Sequence, residues 1–186
     1  MKRQDLSDHA GTIGTDAVAD FPIITEREHD MVRTTRWVLD SPPAPLYKEF
    51  GQFPGNVDRW QIVEAVVPCY CDVDVGSAEV GSGVLDGVRP QGIAFHALSV
   101  ATPETATTTH QFYAHPRMFA RDSAEIDEVY RVQFKRVFME DVEIMEAQQD
   151  SIDRDPERPL VDINVDAPGL AVRALITERI AAENGA

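Results

Sequence analysis

One stretch limits the fold more than any other: residues 129–151, VYRVQFKRVFMEDVEIMEAQQDS. Phe134, Val137, Phe138, Ile144 and Met145 recur at three- and four-residue steps. That is the period of a helix with one apolar side. The spacing predicts a helix over the whole stretch, with this side turned to a core. Asp141 falls in the same series, so a carboxylate sits among the apolar positions, while Glu140, Glu143 and Glu146 point elsewhere. A buried carboxylate without a partner is costly enough that it neutralises or finds a cation. Two readings of the helix stay open. Either Asp141 serves a cation or a set of donors, or the apolar stripe is narrow and the acid marks its edge.

Ahead of this helix the chain reads as strands. Phe21 to Asp40 is extended and rich in β-branched residues, and Arg59 to Val67 is another strand. Pro68 interrupts it, and Cys69 to Val75 continues with Val73 and Val75 alternating against Asp72 and Asp74. Ser41 to Pro54 holds four prolines and one glycine and reads as a loop, a candidate lid or subunit contact. Ile93–Ala101 and Ala106–His115 form a hairpin across Thr102-Pro103-Glu104-Thr105. In its second strand Thr107, Thr109, Gln111 and Tyr113 take one face, and Thr108, His110 and Phe112 the other. A last helix is predicted from about Gly169 to Ala182, capped by Asp166 and started by Pro168, with Leu170, Val172, Leu175, Ile176 and Ile180 on its apolar side.

Strands first and helices last predict an α+β fold. The specific expectation is a helix-grip (START-like) curved antiparallel sheet packed on a long C-terminal helix. The 186 residues allow one domain, 1–186, with a sizeable core. The concave side of such a sheet makes a ligand cavity beneath the helix. Asp141 and one face of the 93–115 hairpin are expected to line it.

Composition narrows the function. Seventeen basic residues against 32 acidic ones give a net charge of −15, which repels nucleic acid and anionic membranes. No apolar run approaches the roughly 18 residues of a membrane span. MKRQDLSDH lacks the apolar core of a secretory signal. Cys69 and Cys71 are two apart and point to opposite faces of a strand, so they do not pair. A reduced, cytoplasmic compartment follows as the default. There is no GxSxG, P-loop, GxGxxG, CxxC or HxxxH pattern, so hydrolase, kinase and dinucleotide readings have no support.

Five histidines remain: His9, His29, His96, His110 and His115. His9 on a loop, His110 on a strand and Asp141 on a helix form a distributed set. Two histidines and a carboxylate are the facial triad of non-haem Fe(II) oxygenases. The types suit the task, because neutral imidazoles and one carboxylate hold Fe(II) at modest net charge and leave positions open. A strand histidine such as His110 serves equally well as a hydrogen-bonded pocket or core residue, and both readings stay open on spacing alone.

Val137-Phe138-Met139-Glu140-Asp141-Val142-Glu143-Ile144-Met145-Glu146-Ala147-Gln148-Gln149 resembles the catalytic-domain helix of Rieske non-haem iron oxygenases, of the vanillate O-demethylase type. His9 to Gly14 looks like the family's His-x-x-Thr-x-Gly segment, and Asp58-Arg59-Trp60 like its strand opening. Thr102 to Thr105 with Thr109-His110 looks like its hairpin, and Asp166-x-x-Gly169-x-x-x-Arg173 like the start of its last helix. The resemblance implies that Asp141 and His9 are ligands of a mononuclear Fe(II). It implies that His110 is a pocket residue able to hydrogen-bond an aromatic acid. Phe112 and Phe138 are candidate walls of that pocket, with Trp60 and Phe95 as further aromatic candidates. It also implies a small aromatic substrate, an electron-transfer reductase or ferredoxin, and a homotrimer.

Two departures qualify these implications. The family's first ligand histidine lies five residues before the second, and here Gln4 stands there. A Rieske [2Fe–2S] centre needs two Cys and two His, as C-x-H and C-x-x-H, and this sequence has neither. The cluster is therefore expected from a missing N-terminal domain or another chain, and the chain by itself is expected not to turn over. The alternative expectation is a non-catalytic helix-grip module that binds a hydrophobic or aromatic molecule. A third is an assembly subunit that caps an oligomer.

Overall fold

The computed structural model describes residues 16–88, 92–159 and 161–185. Six strands form one antiparallel sheet in chain order: β1 (Ile24–Glu28), β2 (Met31–Ser41), β3 (Val57–Val66), β4 (Tyr70–Glu79), β5 (Ile93–Pro103) and β6 (Thr109–Ala114). Each strand pairs with the next, through short turns after β1, β3 and β5 and longer connections after β2 and β4. The helices are α1 (Pro45–Gly51), α2 (Ala124–Arg154) and α3 (Ala167–Asn184). Apart from α1, which lies between β2 and β3, this is the expected α+β order of strands and then helices.

Local chemistry explains where the elements differ from the sequence reading. The Phe21–Asp40 stretch is a hairpin, not one strand. It turns at His29, whose φ of 50° is left-handed, and Asp30. Pro68 likewise marks a reversal between β3 and β4, across a cis Val67–Pro68 bond. The Ser41–Pro54 segment is not all loop, because Pro45 opens α1 in its first turn. A proline there loses nothing, since that N–H has no helical partner. Asp166 precedes α3, but its carboxylate accepts from the Ile163 N–H (2.8 Å) and makes no bond to the helix start.

Register sorts the side chains into two faces. Residues directly opposite in an antiparallel pair point the same way. Arg36, Gln61, Val75 and Phe95 are paired in a row across β2 to β5. Phe95 meets Tyr130 and Phe134 of α2 edge-on, with ring centroids 5.5 and 5.4 Å apart, so this row marks the face that α2 covers. The main core lies here: Leu46 and Tyr47 of α1, Val75, Ile93, Phe95, Tyr130 and Phe134. A smaller core on the other face centres on Trp60, Ala78 and Val84. Gly76 is needed there, because a Cβ on it would lie 2.1 Å from the Trp60 ring. α3 is tied to the first hairpin by Arg27–Glu178 and Arg179–Asp30 ion pairs, and its Leu175 is buried.

Candidate functional site

The helix that carries Asp141 is anchored at its N-terminal end. Ser123 caps it by accepting from the Ile126 N–H, and Glu125 and Asp127 suit the positive end of the helix dipole. Arg117 pairs with Asp127 and donates to the carbonyls of Phe119, Ala120 and Ser123, fixing the chain's approach to the helix. Tyr130, Phe134 and Val137 are then buried against the sheet, and Phe138 packs on the same core half-buried. Beyond Phe138 the stripe opens. Asp141 is half-buried, and Ile144 and Met145 are 55% and 62% exposed. The expected burial of the whole stripe is therefore corrected: the first half of α2 supplies the core and the second half leaves it. Asp141 stands at that transition.

The sheet presents His115 and Tyr113 to this helix. His115 stacks on Phe134 at 3.9 Å, and Tyr113 lies 4.4 Å from the Phe138 ring. His115, Tyr130 and Arg117 line a crevice of about 250 Å³ with Phe134 and Tyr113. His115 Nε2 and the Tyr130 hydroxyl are buried there without a hydrogen-bond partner. Burial pushes the His115 imidazole down to about 4 and the Tyr130 phenol upward, so both are neutral near pH 7. Neither residue was singled out by the sequence reading. The signal was the 111/113/115 alternation, which continues one step past the end of β6.

The predicted site residues separate. Asp141 and Phe138 lie on α2, one turn apart. Tyr113 contacts Phe138, so the alternate positions His110 and Phe112 turn to the opposite face of β6. There Phe112 is 61% exposed, and His110 is exposed with its Nε2 3.5 Å from Glu104. Trp60 and Phe95 are core residues of the two faces. His9 and Gln4 lie outside the described residues. Among the described residues no three His, Cys, Asp or Glu side chains converge as a metal site. Asp141 itself suits a cation: it is an anionic oxygen donor, half-buried at the edge of an apolar core. Cys69 and Cys71 are both free thiols.

The opposite face holds a larger cleft of about 510 Å³, lined among others by Trp37, Ile62, Glu64, Asp72, Asp74 and His96. Its charges are largely tied together. Arg33 binds Glu64 (2.6 Å), His96 meets Asp72 (3.0 Å), and Trp60 Nε1 donates to Asp74 (2.7 Å). The Asp58-Arg59-Trp60 motif is architectural in the same sense. Asp58 accepts from the Asp40 and Gly81 N–H groups, and the Arg59 guanidinium lies 5.3 Å from the Tyr47 ring centre.

The fold is an α+β antiparallel sheet gripping a long helix, with Asp141 on that helix. Residues 5–182 match the vanillate O-demethylase oxygenase C-terminal domain, and the chain belongs to that family. It is 35% identical over 181 residues to the putative toluene-4-sulfonate monooxygenase system iron-sulfur subunit TsaM2 of Comamonas testosteroni (95% of this chain, 52% of that protein). It is 31% identical over 185 residues to the vanillate O-demethylase oxygenase subunit of a Pseudomonas species (96% and 52%). The crystal structure of dicamba monooxygenase bound to 3,6-dichlorosalicylic acid superposes with a TM-score of 0.81 at 21% identity, covering 96% of this chain and 52% of that one. These comparisons place the chain with the catalytic domains of Rieske-type oxygenases rather than with non-catalytic helix-grip modules. The chain spans about half the length of the curated relatives it matches.

Proposed function

We propose that this chain is the iron-bearing catalytic half of an aromatic oxygenase that hydroxylates or O-demethylates a small aromatic acid. The family match together with the place of Asp141 supports this reading: the one acid of the helix stripe stands where the apolar packing of α2 ends. Asp141 and His9 would hold a mononuclear Fe(II), and Gln4 stands where the family has its other ligand histidine. An amide is a weaker donor than an imidazole, so the metal is held loosely. Iron in such a site supplies dioxygen activation. The protein's own part is to hold the metal on one carboxylate, exclude water with the Phe134–Phe138 aromatic wall, and orient the ring beside it. A separate reductase or ferredoxin, with a [2Fe–2S] cluster carried elsewhere in the assembly, would supply the electrons. The three-fold oligomer expected of the family belongs to the same proposal.

The test is anaerobic Fe(II) titration of the purified chain. The wild type should bind one iron weakly, Gln4→His should tighten binding on the order of tenfold or more, and Asp141→Ala should abolish it. Equal binding by wild type and Asp141→Ala would sink the proposal.

A further inference from the structure

The α2-facing side of the sheet carries a cation that no described carboxylate balances. Arg36 of β2 is half-buried, and its Nε is out of solvent without a hydrogen-bond partner. Other sheet arginines are engaged: Arg27 with Glu178, Arg33 with Glu64, and Arg59 over Tyr47. Charge is also segregated by face. Glu26, Arg33, Glu64 and Asp72 share one row of the opposite face, and Asp74 pairs with His96 on that same face. On the α2-facing side the corresponding positions are Gln61, Val63, Val73, Val75 and Ala97, with Arg59 diagonal to Arg36. In a chain of net charge −15, the α2-facing side of the sheet thus sets Arg36 and Arg59 among largely uncharged positions. Burial alone depresses the Arg36 guanidinium, with no neighbouring acid acting on it.

We infer that Arg36, with the amide of Gln61 directly across from it, holds the oxyanion head of the aromatic substrate, a carboxylate or a sulfonate. A guanidinium fork matches either group through paired charge-assisted hydrogen bonds. The Gln61 amide adds a neutral donor, and the half-buried Val63 and Val73 give the ring an apolar floor. Arg36 is then a specificity-determining residue that selects anionic over neutral arenes. His110 does not serve this role, because it lies on the other face beside Glu104. The inference rests on the proposed function for its aromatic ligand, but it needs no iron.

Calorimetric titration of the full chain at low salt tests it, with benzoate, 4-toluenesulfonate and the neutral benzamide as probes. The wild type should prefer the anions to benzamide by about tenfold or more. Arg36→Gln should erase that preference by weakening the anions far more than benzamide, and Arg36→Lys should restore part of it. Preference for benzoate alone or sulfonate alone identifies the head group. A wild type that binds anion and amide equally, or binds neither anion, overturns the inference, as does an Arg36→Gln variant that keeps the preference. If Arg36→Gln does not fold, the wild-type anion-to-amide ratio and its partial reduction in Arg36→Lys decide the matter. Iron titration of the same samples separates the two claims: anion selectivity without iron binding retains this site and defeats the oxygenase reading.

Discussion

His115 shows how one side chain reports its surroundings. It stacks on Phe134, its Nε2 is buried without a partner, and its pKa is held near 4 against an ordinary 6.5. Below pH 6.5 the unfolded chain takes up a proton that the folded chain refuses. This residue's contribution to stability is therefore full above pH 6.5 and is lost as pH falls toward 4. Chemical denaturation of wild type and His115→Phe at pH 7.5 and pH 5 should show the variant gaining relative stability at the lower pH; a constant difference would mean that His115 titrates normally. Gly76 makes a second prediction at this scale. A methyl there enters the Trp60 ring space, so Gly76→Ala should cost roughly 1–3 kcal/mol or more, read as a lower melting temperature. The motif residues of the sequence were legible in kind but not in role. Asp58, Arg59 and Trp60 stood out as a unit, and only the fold shows that they bind a turn, an aromatic ring and a neighbouring strand. Arg36 carried no sequence signal, because an arginine in a strand looks the same whether an acid faces it or not.

At the scale of elements, α2 divides into two functional parts. Its first half binds the helix to the sheet through Tyr130, Phe134 and Val137. Its second half carries Asp141 and then exposes Ile144 and Met145. Phe134→Ala should destabilise the protein by about 3–5 kcal/mol. Met145→Ser and Ile144→Ser should stay within about 0.5 kcal/mol. Thermal melts of the three variants check this, and a large loss at Ile144 or Met145 would place the second half of the helix in the core. Periodicity identified the helix and its apolar side, since both are properties of local spacing. It did not say where the partner surface stops, because that is set by the width of the sheet. The β6 face was ambiguous for a related reason. Alternation sorted Thr109 to Tyr113 correctly, while Thr107 and Thr108 belong to the turn before β6, and only contact with α2 decides that 113 and 115 face the helix while 110 and 112 do not.

The whole molecule is a sheet with two chemically different faces. One is acidic and internally paired, and the other is apolar with Arg36 and Arg59 set into it and α2 laid across it. No helix among the described residues is long and apolar enough to cross a membrane. The antiparallel sheet, the long helix and the family were legible in the sequence, because strand alternation and helical periodicity are local and the family's motifs are spread along the chain, whereas the reversals at His29–Asp30 and Pro68 were not. The metal set was less so, since its members are far apart in sequence and His9 and Gln4 lie outside the described residues. The central claim is that Asp141 holds a metal, and anomalous diffraction at the iron edge tests it most directly. Crystals of the chain soaked anaerobically with Fe(II), for the wild type and for Gln4→His, should show one peak at bonding distance from the Asp141 carboxylate. An iron peak bound elsewhere, or density at Asp141 that persists without iron and carries no anomalous signal, would contradict it.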